Sequence, residues 1–293
     1  MEKLSLSFLV NNSTVVEYQD MNNISDEKPL EVMRREFTSS PLFSIIILIR
    51  DFDHLVPLTV DSILAQTFDS YEIIIMEHEC SVHILEMLEE YSEKITHMES
   101  AKDGSNSFMM NQSLLLAKGK YIQFFQPGDR FLSRHALSHM AGIIQEKEPD
   151  FLYAGYLQRE EDSPPIAVTL PMSLSLLRKG ELPTRLQSCW FLRDTLKRLE
   201  GFDQRYEDRP GLDVLCRLVK LQGIKIESTK HILTDYEYRK RPARTILHYA
   251  LETYLVIHRN FGFVRGIVWW FIQDYFRMVR SVFRSIKQAF WKA

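Results

Sequence analysis

Ser44-Ile45-Ile46-Ile47-Leu48-Ile49 is an unbroken apolar run behind one small polar residue, and its reading decides the fold. A stretch that never alternates has no wet face, so it reads as a strand buried on both sides, the habit of a parallel sheet. Downstream, residues 55–66 predict a helix with Pro57 in its first turn, where a missing N–H is harmless. Residues 72–76 repeat the buried-strand pattern. Residues 82–94 set Ile84, Leu85, Leu88 and Tyr91 at helical spacing. Residues 107–117 predict another helix, closed by Lys118-Gly119, and 121–125 a third strand. Strand, helix, strand, helix, helix, strand implies right-handed crossovers on a parallel sheet. Ligands of such sheets bind beyond the carboxyl ends of the strands, so function is expected in the loops starting at Arg50, Glu77 and Gln126.

Beyond these, residues 134–146 predict a helix, 151–158 a strand and 162–171 a proline-bearing loop. A helix at 213–222 ends at Gly223, and 225–227 follow as a short strand. Residues 1–40 are polar and Asn/Glu-rich without a sustained period, and read as an N-terminal extension. Hydrophobic residues at 45% and charged residues at 26% exclude wholesale disorder. A net charge of −3 gives no electrostatic reason for a nucleic-acid partner. Cys80, Cys189 and Cys216 are too far apart for a zinc knuckle or a redox pair, which fits a reducing, cytoplasmic setting. The first residues lack a small-residue cleavage site, and no apolar run approaches the roughly 20 residues that span a bilayer. The expectation is a soluble or surface-bound chain.

Several segments carry a resemblance. Val60-Asp61-Ser62-Ile63-Leu64-Ala65-Gln66-Thr67-Phe68 leads into Tyr71-Glu72-Ile73-Ile74-Ile75. Asn111 precedes Leu116-Ala117-Lys118-Gly119-Lys120-Tyr121-Ile122. Later come Gly201-Phe202-Asp203, Arg217-Leu218 and Gly223-Ile224-Lys225-Ile226. With the first strand, these segments resemble, in order, those of the family 2 glycosyltransferases, over about residues 41–241. The resemblance implies an α/β fold of the GT-A (Rossmann-like) type: a mostly parallel central sheet flanked by helices, here with C-terminal amphipathic helices. It also implies transfer of a sugar from a nucleotide-sugar donor, a UDP-sugar foremost, to a glycan or lipid-linked acceptor.

The departures from the family pattern fall on the chemistry. After the second strand, where the family holds the base and ribose with an Asp pair, the chain reads Met76-Glu77-His78-Glu79-Cys80. Glu77 is the implied acceptor for a uracil-like base. Arg50 and Asp51 stand where the family contacts nucleotide. The metal-binding acidic motif reads Gln126-Pro127-Gly128-Asp129, leaving Asp129 as the implied ligand of a divalent cation, Mn or Mg, which wants hard anionic oxygens. The family's acceptor-activating acids fall at about Pro210-Gly211, and neither residue takes a proton. Glu207 and Asp208, just upstream, are the implied bases if the loop is re-routed. Arg239, in the segment matching the family's Tyr-Arg pair, is the implied contact to the donor diphosphate, since a guanidinium fork suits phosphate.

Each assignment has a plain structural counterpart: Asp129 as a cap near Arg134, Glu207-Asp208 as a solvated turn, Arg239 in a basic surface loop. His78 and His83 among their acids, and His135 and His139 at i, i+4, match no ligand pattern and read as ordinary histidines. Residues 264–293 carry Arg265, Arg277, Arg280, Arg284, Lys287 and Lys292 against one acid, Asp274. On a helical wheel Ile267, Phe271, Tyr275, Met278, Val282, Ile286 and Ala289 share a face, with Trp269, Trp270 and Trp291 at or beyond its borders. A basic, aromatic amphipathic helix fits attachment to the inner face of a membrane, or packing on protein. Three function classes therefore remain: an active transferase, a degenerate relative that binds a nucleotide or a partner, and a peripheral membrane scaffold. The chain is expected to divide into an extension (1–40), a GT-A-like domain (41–241) and a helical C-terminal region (242–293).

Overall fold

The computed structural model describes residues 40–50, 53–160, 163–237 and 243–271. The chain runs β1 (Phe43–Ile49), α1 (Val56–Leu64), β2 (Tyr71–Glu77), α2 (Val82–Glu89), β3 (His97–Ser100), α3 (Asn106–Leu116), β4 (Tyr121–Phe125), β5 (Arg130–Phe131) and α4 (Ala136–Lys147). It continues through β6 (Phe151–Glu160), β7 (Ser163–Val168), α5 (Leu174–Arg178), β8 (Cys189–Leu192), α6 (Arg193–Arg198), α7 (Pro210–Leu218), β9 (Ile226–Glu237), α8 (Ala243–Phe261) and α9 (Phe263–Trp269). The sheet order is β3-β2-β1-β4-β8-β6-β9-β5, with β7 added on β6. β3, β2, β1 and β4 run parallel, as do β6 and β9; β8 is antiparallel to both of its neighbours.

Every residue of β1 is buried, as its unbroken apolar run requires. Because side chains alternate across a strand, β1 feeds two cores at once. Ile45, Ile47 and Ile49 pack with α1, α2 and α4. Ile46 and Leu48 pack on the other face with α3, α6, α7 and Val256 of α8.

The motif residues close two knots in this frame. Glu72, 3% exposed at the start of β2, accepts from Ser44 Oγ at 2.5 Å, Lys118 N at 2.6 Å and Gly119 N at 3.0 Å. A Cβ on Gly119 would sit 2.4 Å from Ser44 N, so only glycine lets the α3–β4 turn come this close. In the second knot Asn111 donates to Phe202 O at 2.7 Å and accepts from Phe202 N at 2.8 Å. Arg217 ties the same turn through Leu199 O, Gly201 O and Asp213.

Two expectations change. The proline-bearing loop contains β7, whose Pro164 and Pro165 are tolerated because the strand pairs on β6 alone. The short strand expected at 225–227 continues to Glu237 as β9, pairing β6 across two register shifts. β3, β5 and β8 are too short to show a period. His135 and His139 are structural: His135 Nδ1 meets Thr67 Oγ1 at 3.0 Å, and His139 packs on His231 and reaches Thr229.

Candidate functional site

β1, β2 and β4 end on the same side of the sheet, and the loops leaving β1 and β2 border a cleft of about 460 Å³. Arg50, His78, Glu79, Asp103, Gly104, Ser105 and Glu207 line it. Arg50 reaches both sides of it, with Nη1 on Gly104 O at 3.0 Å and on Glu207 Oε1 at 3.2 Å. One predicted nucleotide contact and one predicted base therefore meet in one cleft. Asp51 and Arg239 lie outside the described residues.

Glu77 faces inward and is 5% exposed. Its carboxylate accepts from Cys80 N at 3.1 Å and from Ser100 Oγ, which fixes the turn leaving β2. The cleft is instead lined by the next residue, His78. Its Nδ1 lies 2.9 Å from Ala101 O, which can only accept, so Nδ1 carries a proton and Nε2 is left to the cleft. Gly104 makes room for this ring; a Cβ there would lie 2.2 Å from Cδ2. Asp103 accepts from Ser105 N at 2.7 Å, and that backbone hydrogen bond holds its carboxyl below the usual carboxylate range.

The loop after β4 is drawn inward. Asp129, 7% exposed, accepts from Gln126 N at 2.8 Å, while Gly128 N donates to Thr59 Oγ1 at 2.9 Å. Gln126 is the exposed member, its amide Nε2 on Asn106 Oδ1 at 3.3 Å. A neutral amide outside and a carboxylate serving its own turn do not fit a divalent ion bridging a diphosphate.

Glu207 and Asp208 open the turn into α7, and α8 holds that turn from behind. The Glu252 carboxylate accepts from the backbone N–H groups of Glu207, Asp208 and Arg209 at 2.8, 2.8 and 2.9 Å. It thereby occupies the anion-favouring start of α7. His248, one turn earlier, puts Nδ1 3.1 Å from Asp208 Oδ2 and Nε2 3.5 Å from Glu252 Oε1. The Asp208 hydrogen bond raises the imidazole pKa above its ordinary 6.5. Among the described residues, Asp208, His248 and Glu252 also form a set with ligand atoms within 4.8 Å of one another. Both ring nitrogens face carboxylates, however, which is the arrangement of a proton bridge. Arg209 is buried, donating to Tyr249 OH and Gly180 O, with its guanidinium 4.5 Å above the Tyr249 ring.

Sequence reasoning reached Arg50, Glu207 and Asp208 and missed Arg209, His248, Tyr249 and Glu252. A signal was present, because Glu252 and Thr253 interrupt the apolar stripe that carries Val256 and Ile257 inward on α8. α9 buries Trp269, whose indole N–H donates to Lys179 O at 2.8 Å; Phe263, Val264, Val268 and Phe271 are exposed. Residues 272–293 lie outside the described residues. Among the described residues no helix is long and apolar enough to cross a membrane.

The curled, mostly parallel sheet, its flanking helices and a cleft at the strand ends define a GT-A-like α/β architecture, and the solved structures that match it include glycosyltransferases. Residues 1–349 of S. aureus TarS in complex with UDP-GlcNAc match with a TM-score of 0.59 and 14% identity, over 74% of this chain and 66% of that one. The mannosyltransferase PcManGT from Pyrobaculum calidifontis, in complex with GDP-Man and Mn2+, matches with a TM-score of 0.55 and 13% identity, over 76% and 64%. This chain therefore spans just under two thirds of those proteins' lengths. At such identities the likeness shows the fold alone. No protein-family model and no curated protein sequence matches the chain.

Proposed function

We propose that this protein is a nucleotide-sugar-dependent glycosyltransferase of the family 2 type, acting on a glycan or lipid-linked acceptor. The observation that carries the reading is the meeting of Arg50 and Glu207 over a cleft at the carboxyl ends of β1 and β2. The base of the donor, a UDP-sugar foremost, lies against His78 and Gly104. Arg50 leaves Glu207 for the donor's ribose or phosphate, which frees the carboxylate. Glu207 then takes the proton of the acceptor hydroxyl, with Asp208 beside it. The acceptor oxygen forms its bond to the sugar's C1 as the bond from C1 to the diphosphate oxygen breaks, and the nucleoside diphosphate leaves with that electron pair. Attachment to an anionic membrane face through 264–293 belongs to the same reading, supported by the exposed Phe263, Val264, Val268 and Phe271.

A second reading, a nucleotide-binding module without turnover, is favoured by one observation. Asp129 serves its own turn, and Gln126 takes the exposed place. The test is a panel of UDP-, GDP-, CMP- and dTDP-sugars, with and without Mn2+, read by thermal shift and by release of free nucleotide. Release that is lost in Glu207→Gln supports the transferase. A thermal shift without release moves the protein to the second reading. No shift and no release from any donor would sink both.

A further inference from the structure

Arg185 is not among the residues that line the cleft. The chain leaves it into the 3₁₀ turn Leu186–Ser188, which β4 holds through Gln123 Nε2 on Gln187 O at 2.6 Å. On its other side Leu186 packs on Gly211, where a Cβ would meet Leu186 Cγ at 3.2 Å. Arg185 is thus fixed between the end of β4, which carries the Gln126–Asp129 loop, and the turn that opens α7.

Its surroundings are aromatic. The guanidinium carbon sits 4.9 Å from the Tyr236 ring centroid, and Tyr156 and Tyr249 are near enough to act on its charge. Tyr156 and Tyr236 meet edge-on at 6.4 Å. Arg185 Nε is shielded from solvent and has no hydrogen-bond partner, and among the described residues no carboxylate pairs with this side chain. Asp235, next to Tyr236 on β9, is held between Arg130 and Arg159, and Glu252 is held by the start of α7. A half-buried guanidinium whose Nε is shielded from water and unpartnered, with phenols beside it among the described residues, is incompletely compensated. Its planar fork matches a phosphate's oxygens, and a nearby hydroxyl adds a donor from a second direction.

We infer that Arg185, with Tyr156 beside it, is a binding site for a phosphate group carried by a ligand lying between the end of β4 and the start of α7. That phosphate comes either from the donor's diphosphate or from a phosphate-bearing acceptor. Only this choice of source rests on the glycosyltransferase reading; the anion site stands on its own geometry.

The test is calorimetric titration of the full chain at low salt with inorganic pyrophosphate, UDP, uridine and glycerol 3-phosphate. The proteins are the wild type, Arg185→Gln, Arg185→Lys and Tyr156→Phe, each checked for folding by circular dichroism. Arg185→Gln is expected to weaken pyrophosphate roughly tenfold or more and to leave uridine unchanged, as loss of a charge-assisted contact implies. Arg185→Lys keeps the charge without the fork and should lie between. Equal weakening of UDP identifies the donor as the source. An unchanged UDP affinity with weakened glycerol 3-phosphate identifies an acceptor. If Arg185→Gln does not fold, Arg185→Lys and Tyr156→Phe carry the same comparison. Variants that bind every phosphate as the wild type does, or a wild type that binds none, overturn the inference. A wild type that binds pyrophosphate through Arg185 but neither uridine nor UDP would leave this site standing and count against a UDP-sugar donor instead.

Discussion

Glu72 is a carboxylate placed where water does not reach, and three donors from two other segments converge on it. Replacing it with alanine strands those donors, each charge-assisted, so Glu72→Ala is expected to cost about 3 kcal/mol or more. Glu72→Gln keeps one acceptor oxygen and should cost about half as much, read as a shift in urea midpoint at constant slope. The Arg50–Glu207 pair contrasts with this. Its side chains are 37% and 52% exposed, so the pair is worth under about 1 kcal/mol and Glu207→Gln should unfold with the wild type. In the proposed reaction the same substitution should lower turnover by roughly 10²–10⁴, measured as nucleotide release per enzyme. These two acids also explain what could be read from sequence. Glu72, Asn111, Gly119, Gly201 and Arg217 belong to recognisable segments because they knot the fold, and that job restricts them to one residue type each. Glu207 stands among residues with no such restriction. Its neighbours in space, Arg50 and Asn106, come from distant parts of the chain, so only its type and rough position could be read.

The turn into α7 presents three backbone N–H groups, part-buried at Glu207 and Asp208 and buried at Arg209, and a second helix, α8, supplies the anion that satisfies them. Glu252→Gln leaves an oxygen but removes the charge, while Glu252→Ala leaves three donors without an acceptor. The alanine variant is expected to lose about 3 kcal/mol, and the glutamine variant less, by urea unfolding. His248 adds a pH dependence to the same contact. It faces Asp208 and Glu252, with Glu207 also raising its pKa, and its folded value lies above 6.5. A raised folded pKa means that the native state holds the proton more tightly, so this contribution is fully present below about pH 6.5 and fades as pH rises through the higher, folded value. The side chain is 53% exposed, so solvent screening keeps the effect small. The expected result is a slight fall in unfolding midpoint between acidic and mildly alkaline buffer, absent in His248→Gln. No motif announces this device. α8 lies past the last segment that resembles the family, and its amphipathic period reports a buried face without saying which turn that face will cap.

At the scale of the whole molecule, the open question is whether α8 and α9 are a region apart, as the sequence division at residue 241 expects, or a wall of the fold. Val256 and Ile257 are fully buried, and Val256 belongs to the core formed by α3, α6, α7 and one face of β1. Burying two such side chains contributes about 3–6 kcal/mol by area. The Glu252 cap adds about 3 kcal/mol, and Trp269 on Lys179 contributes further. A domain's net stability is about 5–15 kcal/mol, so these terms together are of the size of the whole. A chain ending at residue 241 is therefore expected to lose most of its cooperative unfolding transition, because it exposes the α7 core face and strands the turn that carries Glu207. The two free thiols in the interior provide an independent readout. Burial pushes Cys216 up to about 12 and raises Cys189 further, so both should resist alkylation in the full chain. In the truncated chain both should react within the time that labels half-buried Cys80. Equal midpoints and equal protection in the two chains would make α8 an appendage, and would return the C-terminal region to the separate role that its basic, amphipathic sequence suggests.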